Sequence, residues 1–322
     1  MTKDLVSIAD LNQQEIHHLF DYAHKLKNEI RQHGRLRLLD GRVMALVFEK
    51  PSLRTRVTFE TGIIQMGGAG IYLAPGDIGL GKRETVPDVA KNLSRWVSVI
   101  VARTFAHETV AGLAQNATIP VINALCNMEH PCQALADFLT ILDHRRGLKG
   151  TVLTWVGDGN NVCHSLMLCA GLLGVNMKVA TPRGYEPKEH YVALARDYAL
   201  NTGAQIELFT DPQKAVKSAE FIYTDVWASM GDEAQAEVRK KAFAAYQVNT
   251  ELLSRAGKGC KVMHCLPAHR GDEITAEVLD GPQSIVLDEA ENRLHIQRAI
   301  VAELVVRNVS QRESVPTGTF TY

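Results

Sequence analysis

The chain has 322 residues, enough for about two domains at roughly 150 residues each. Hydrophobic residues make up 46% and charged residues 22% of it, an ordinary globular balance. Lys+Arg 35 against Asp+Glu 36 leaves a net charge of -1, which provides neither a basic face for nucleic acid nor a polybasic anchor for anionic membranes. Any anion must then be held by a few placed cations. No apolar run approaches the roughly 20 residues of a membrane helix. The charged N-terminus, Met1-Thr-Lys-Asp, is not that of a signal peptide. Cysteines stand at 126, 132, 163, 169, 260 and 265 without a C-x-x-C, so reduced thiols in a cytoplasmic protein are expected.

Strand-like and helix-like stretches alternate. Asp10 to Arg31 predicts a helix, Arg42 to Phe48 a buried strand, and Arg54 to Met66 a helix stopped by Gly67-Gly68. A strand over 70–73, a Pro/Gly loop over 74–82, a helix over 86–96, a strand over 98–102, a helix over 107–114 and a strand over 120–123 follow. Pro131 opens a helix that runs to Arg145. Gly147-Leu-Lys-Gly150 punctuates the chain and places a domain break near 147. Beyond it come a strand over 151–156, a helix over 162–173 and strands over 177–180, 205–209, 221–224, 261–265 and 284–287. A last helix, Glu289 to Val306, can return to the first domain. The alternation predicts an α/β protein of two domains, each a parallel sheet flanked by helices.

In such sheets ligands bind beyond the carboxyl ends of the strands. The first exit, Ser52-Leu53-Arg54-Thr55-Arg56, sets guanidinium groups on the positive end of a helix, where they oppose the dipole unless an anion sits there. A plain Ser52 cap with solvated arginines is the alternative. Arg103 ends another strand. His130-Pro131-Cys132-Gln133 places a donor and an amide one turn apart, or else a capping His and a solvent Gln. Cys126 through Cys132 matches no zinc-ligand spacing. Gly157-Asp158-Gly159-Asn160-Asn161 resembles the start of a dinucleotide fingerprint, but Val162 replaces the third glycine and no acid follows the next strand. Asn161 is expected to face a ligand carboxylate or carbonyl instead. Asp225 offers a carboxylate to an ammonium, or caps a helix. Leu266, preceding Pro267, is kept out of the helical region, which exposes carbonyls at a strand exit.

Taken in order, these segments resemble the carbamoyltransferase family, in its ornithine branch. Ser52-Leu-Arg-Thr-Arg56 is similar to the S-T-R-T-R motif, His130-Pro-Cys-Gln133 to H-P-x-Q, Asp225-Val-Trp-Ala-Ser229-Met230-Gly231 to D-x-x-x-S-M-G, His264-Cys265-Leu266-Pro267 to H-C-L-P, and Glu291-Asn292-Arg293 to E-N-R. Leu53 stands where Thr is usual, a small change if that position acts through its backbone N–H. Gly79, in a loop over 77–84 that resembles one reaching a neighbouring subunit, stands where Gln or His is common. Lys82 or Arg83 offers a cation there instead.

The resemblance implies transfer of a carbamoyl group from carbamoyl phosphate to the side-chain amine of L-ornithine, giving L-citrulline and phosphate. It implies an active site in the cleft between the domains, no metal or other cofactor, no nucleic-acid or membrane partner, and a homotrimer or a multiple of trimers. Carbamoyl phosphate is then expected on Ser52, Leu53, Arg54, Thr55, Arg103, His130, Gln133, Cys265, Leu266 and Arg293, and ornithine on Asn161, Asp225, Ser229 and Met230. Arg103, His130, Asp225 and Cys265 are the implied catalytic set, with Cys265 an orienting group or proton acceptor. Rival readings are another amine acceptor (putrescine or acylated ornithine), a nicotinamide dehydrogenase and an inactive binding protein.

Overall fold

The computed structural model describes residues 2–81, 83–228 and 235–313. Two compact units form: Met1–Cys132 with Arg293–Tyr322, and Gln133–Asn292. The division into units falls inside two helices, Pro131–His144 and Val286–Glu313. Glycines mark where a helix stops, whereas packing decides which residues form a unit.

The first unit is built on strands β1 (Val43–Phe48), β2 (Ala69–Leu73), β3 (Val99–Arg103) and β4 (Val121–Leu125). All pairings are parallel, in the order β2-β1-β3-β4. Helices Leu53–Gln65, Val86–Trp96 and His107–Asn116 make the crossovers. The second of these shows how sequence sets an element: Thr85 caps it by accepting from the Asp88 N–H, Pro87 suits its first turn, and Val89, Ala90 and Leu93 repeat at helical spacing and are buried. They pack with Ala45, Val47, Ile100, Ala102, Val110 and Leu113 into one core. The chain winds one way from β1 to β2 and the other from β3 to β4, so the switch point lies between β1 and β3.

The second unit carries β5 (Val152–Val156), β6 (Asn176–Ala180), β7 (Ile206–Phe209), β8 (Phe221–Thr224) and β9 (Lys261–His264), again parallel, in the order β7-β6-β5-β8-β9. Its switch point lies between β5 and β8. Helix Asn161–Leu173 is buried on nearly every side. At Gly171 an added Cβ would stand 2.4 Å from the Ala195 carbonyl, so only glycine lets helix Glu189–Thr202 approach so closely.

The expected strand over 284–287 does not form. Ser284 makes a single bridge to Val262, and the last helix already begins at Val286. Asp288 and Glu289 in its first turn favour the helix start, and the apolar run is too short to specify a strand. The helices at Glu189–Thr202, Pro212–Ala215, Ala236–Phe243, Thr250–Ser254 and Ala276–Leu279 were not apparent from the sequence pattern.

Candidate active site

The first group of candidate site residues gathers at the β1/β3 switch point. Ser52 caps helix Leu53–Gln65, its Oγ accepting from the Thr55 N–H at 3.3 Å. The first intrahelical bond runs from the Arg56 N–H to the Ser52 carbonyl, so the N–H groups of Leu53 and Arg54 precede the helical ladder. The Leu53 side chain is exposed. Beside β1, Arg103 closes β3 and is buried, and its carbonyl accepts from the Glu49 N–H at 2.8 Å. Arg293, buried on the last helix, donates to the Thr55 hydroxyl oxygen at 2.7 Å, which leaves the Thr55 O–H as a donor. The Arg54 Nε is buried and has no hydrogen-bond partner.

His130 is buried in the same unit. Burial first, then the charges of Arg293, Arg103 and Arg54, hold its pKa well below the usual imidazole value. It is therefore a neutral ring at pH 7, fit to donate a hydrogen bond and unfit to carry a charge. Burial likewise pushes the Cys132 thiol up to about 12, so this cysteine is inert.

The second group occupies the β5/β8 switch point and the end of β9. Asp225 follows β8 and is buried. Its Oδ2 accepts from the Asn160 amide at 2.9 Å, and its Oδ1 accepts from the Val226 N–H at 2.8 Å and from the Cys265 thiol at 3.1 Å. Burial, with the charges of Asp225 and Glu289, raises the Cys265 pKa well above the ordinary thiol value, so the sulfur stays protonated. Leu266 has a φ of 58°, in the left-handed region, and its N–H donates to His264 Nδ1 at 2.9 Å. On the far side of that ring, His264 Nε2 donates to Glu273 Oε1 at 3.1 Å. Asp225, His264 and Cys265 hold ligand-type atoms within 4.8 Å of one another. Their hydrogen bonds account for this grouping, because both His264 nitrogens and the Cys265 proton are already committed.

Asn161 opens the helix after this turn, and its Oδ1 accepts from the Val162 N–H at 3.0 Å. The neighbour passed over in the sequence, Asn160, both caps the helix and holds Asp225. Gly157 has a φ of 148°, and Gly159 has a packing origin. A Cβ on Gly159 would meet the Pro187 nitrogen at 2.2 Å, so that glycine admits the 186–187 backbone and not a pyrophosphate. Ser229 and Met230, and with them Gly231 and Lys82, lie outside the described residues.

Gln133 is fully buried on helix Pro131–His144. Its Nε2 donates to Asp137 Oδ1 at 2.8 Å and to Glu289 Oε1 at 3.1 Å. Its Oε1 is buried with no hydrogen-bond partner. Neither acid stood out in the sequence, because no motif spacing marks them.

Comparison with known proteins places each unit in a described domain. Residues 3–143 match the aspartate/ornithine carbamoyltransferase carbamoyl-P binding domain, and residues 149–304 match the Asp/Orn binding domain of the same family. The chain belongs to the aspartate/ornithine carbamoyltransferase family. Among family members, the ornithine carbamoyltransferase of Pyrococcus horikoshii is 48% identical over 94% of this chain and 96% of its own length. The solved ornithine carbamoyltransferase of Pyrococcus furiosus superposes with a TM-score of 0.90 at 48% identity, covering 93% of this chain and 96% of that one. The anabolic ornithine carbamoyltransferase of Campylobacter jejuni is 32% identical, with a TM-score of 0.89 over 94% of this chain and 99% of its own.

Proposed function

We propose that this chain transfers the carbamoyl group of carbamoyl phosphate to the side-chain amine of L-ornithine, giving L-citrulline and phosphate. The observation that carries the reading is the group of Arg54, Arg103 and Arg293 around a neutral His130, at the switch point of the unit that matches a carbamoyl-P binding domain. Phosphate binds to Ser52, the N–H groups of Leu53, Arg54 and Thr55, and the guanidinium groups of Arg54, Arg103 and Arg293. As the amine nitrogen bonds to the carbonyl carbon and the bond from that carbon to the bridging phosphate oxygen breaks, negative charge moves onto the leaving phosphate, and these cations stabilise it. His130 and the Thr55 O–H donate to the carbamoyl oxygen, and Gln133 Oε1 accepts from the carbamoyl NH2.

The attacking nitrogen of ornithine must first lose a proton. With an ordinary amine pKa of about 10.4, about one molecule in two thousand is free base at neutral pH. Asp225 pairs with the α-ammonium, Asn161 faces the α-carboxylate, and Ser229 and Met230 flank the chain. Cys265 and the Leu266 carbonyl border the reacting amine. Because the Cys265 thiol is protonated and donates to Asp225, it orients that carboxylate and forms no acyl intermediate. Transfer requires both ligands to be held together, and that positioning supplies much of the rate.

The protein acts in the cytoplasm in arginine biosynthesis, in keeping with six free cysteines and relatives named anabolic. It assembles as a homotrimer. Leu53, Val57 and Ile64 share one exposed face of their helix, with exposed Ile71 on β2, an apolar surface of the kind that marks an interface. Mass measurement in solution tests the assembly. The function is tested by phosphate release from carbamoyl phosphate by purified protein with ornithine, aspartate, putrescine or acetylornithine as acceptor, and by citrulline formation with ornithine. Ornithine is expected to be used far better than the others. Faster turnover of another acceptor would reassign the substrate, and no turnover would refute the reading.

A further inference from the structure

A buried pair of acids stands behind Gln133. Asp137 and Glu289 are both inaccessible to solvent, and each accepts from Gln133 Nε2. Glu289 is itself fixed from three sides, because Oε1 also accepts from the Tyr223 hydroxyl at 3.0 Å and Oε2 accepts from the His264 N–H at 3.0 Å. Both hydrogens of the Gln133 amide are therefore spent. The remaining polar atom, Oε1, is a buried acceptor with no donor. An unmet buried carbonyl is unfavourable, and a ligand N–H relieves it. An amide next to two carboxyl groups cannot rotate to present its NH2 to the ligand without placing its own oxygen against theirs.

We propose that Asp137 and Glu289 are positioning residues that lock the Gln133 carbonyl oxygen as the acceptor for the carbamoyl NH2, and so set the preference for carbamoyl over acyl phosphates. This rests on the proposed carbamoyl transfer. Two buried carboxyl groups sharing one donor do not both ionise. Burial, then the charge of Glu289, raises the Asp137 pKa well above the usual carboxylate range, and burial raises that of Glu289 as well. The pair accordingly holds a proton, carried by Asp137 and facing Glu289. Asparagine at 137 reproduces this pattern: its oxygen accepts from Gln133 and its NH2 donates to Glu289. Glutamine at 289 does not, because one oxygen and one NH2 must face three donors.

The test compares two competitive inhibitors, phosphonoacetamide and its methyl-ketone counterpart phosphonoacetone, which differ by NH2 against CH3. Wild type should bind the amide more tightly. Asp137→Ala and Glu289→Gln should each reduce that preference roughly tenfold or more, while affinity for the ketone stays within about threefold. Asp137→Asn should restore the preference to within about threefold of wild type, a rescue that a merely structural role would not restrict to the amide ligand. Wild-type preference in Asp137→Ala, or a loss in Asp137→Asn as large as in Asp137→Ala, overturns the proposal. Should Glu289→Gln fail to fold after losing the His264 contact, the two Asp137 variants decide alone. Wild type that makes no citrulline refutes the function itself, whereas wild type that makes citrulline beside variants with unchanged preference refutes only the clamp.

Discussion

Arg54→Ala separates a ligand-binding role from a structural one, because the two predict opposite signs. Arg54 lies in the first turn of its helix, where a cation opposes the dipole by about 0.3–1 kcal/mol. Its charge also adds to those of Arg103 and Arg293 on the buried His130. Without an anion, removing Arg54 therefore relieves repulsion, at the small loss of packing by its alkyl stem. Ligand-free protein should unfold at the wild-type temperature or up to about 4 °C higher. With an anion the balance reverses. Losing one charge-assisted donor to the phosphate costs about 1.5–3 kcal/mol. Losing a donor aimed at the charge that develops in the transition state costs about 2.7–4 kcal/mol, so kcat/KM should fall roughly 10²–10³-fold. Wild type at a hundred times Kd of carbamoyl phosphate gains about 2.7 kcal/mol of stability, most of which the variant should lose. Scanning calorimetry with and without carbamoyl phosphate, beside steady-state citrulline formation, reads both effects. A variant that melts well below wild type without ligand yet keeps kcat/KM within about tenfold would show Arg54 to be a structural cation and refute the anion-site argument.

Three further outcomes are expected. His130 is neutral when folded, its pKa depressed below the ordinary value of about 6.5. On acidification the unfolded chain takes up a proton that the folded chain refuses, so stability falls as pH drops below about 6.5. His130→Gln, which keeps a neutral donor, should flatten the melting temperature between about pH 6.5 and 5.5 while lowering kcat about tenfold or more. Parallel pH profiles for the two proteins would show that this histidine is not held neutral. Cys265→Ser should keep measurable turnover, and wild-type Cys265 should resist iodoacetamide at neutral pH because its sulfur is protonated. Mass spectrometry that found an acyl-thioester would overturn the non-covalent assignment. Asp225→Asn should raise KM for ornithine roughly 10- to 100-fold, the loss of one charge-assisted bond, with carbamoyl phosphate binding left near wild type. Calorimetric titration that gave unchanged ornithine affinity would remove Asp225 from the amino-acid site.

The elements legible in the sequence were those with an unambiguous period. Residues 42–48 make an apolar run legible as a buried strand and residues 86–96 a helical stretch, and both elements form there. Glu189–Thr202 escaped notice because two of its four buried positions are Ala195 and Ala199, which carry little hydrophobic contrast. The apolar residues at 285–287 fit a strand or a helix equally, and only the packing of a long helix decided between them. At the site, residues that sit in local motifs were legible. Those that act through space were not: Arg293 has a motif, but its bond to Thr55 does not, and Asp137 and Glu289 become neighbours only through Gln133. Asn160 and Asn161 are indistinguishable in sequence, and the cap geometry alone turns Asn160 toward Asp225.

The protonation states bear directly on the chemistry. A charged His130 among three guanidinium groups would add repulsion in the ligand-free protein, and a thiolate at Cys265 beside Asp225 would set two anions together. Burial removes both problems by keeping each group neutral. It also removes imidazolium and thiolate from the list of available catalysts. What remains is permanent charge on guanidinium groups, which do not titrate near pH 7, and neutral donors and acceptors held by buried partners. In the proposed complex Asp225 pairs with the α-ammonium and the Cys265 thiol already carries its proton, so neither is placed to take up the proton that the attacking amine must lose. The amine therefore attacks as free base, and the proton its nitrogen loses on forming the new C–N bond passes to the departing phosphate. The protein's contribution is then a fixed arrangement of dipoles and cations that needs little reorganisation as charge moves.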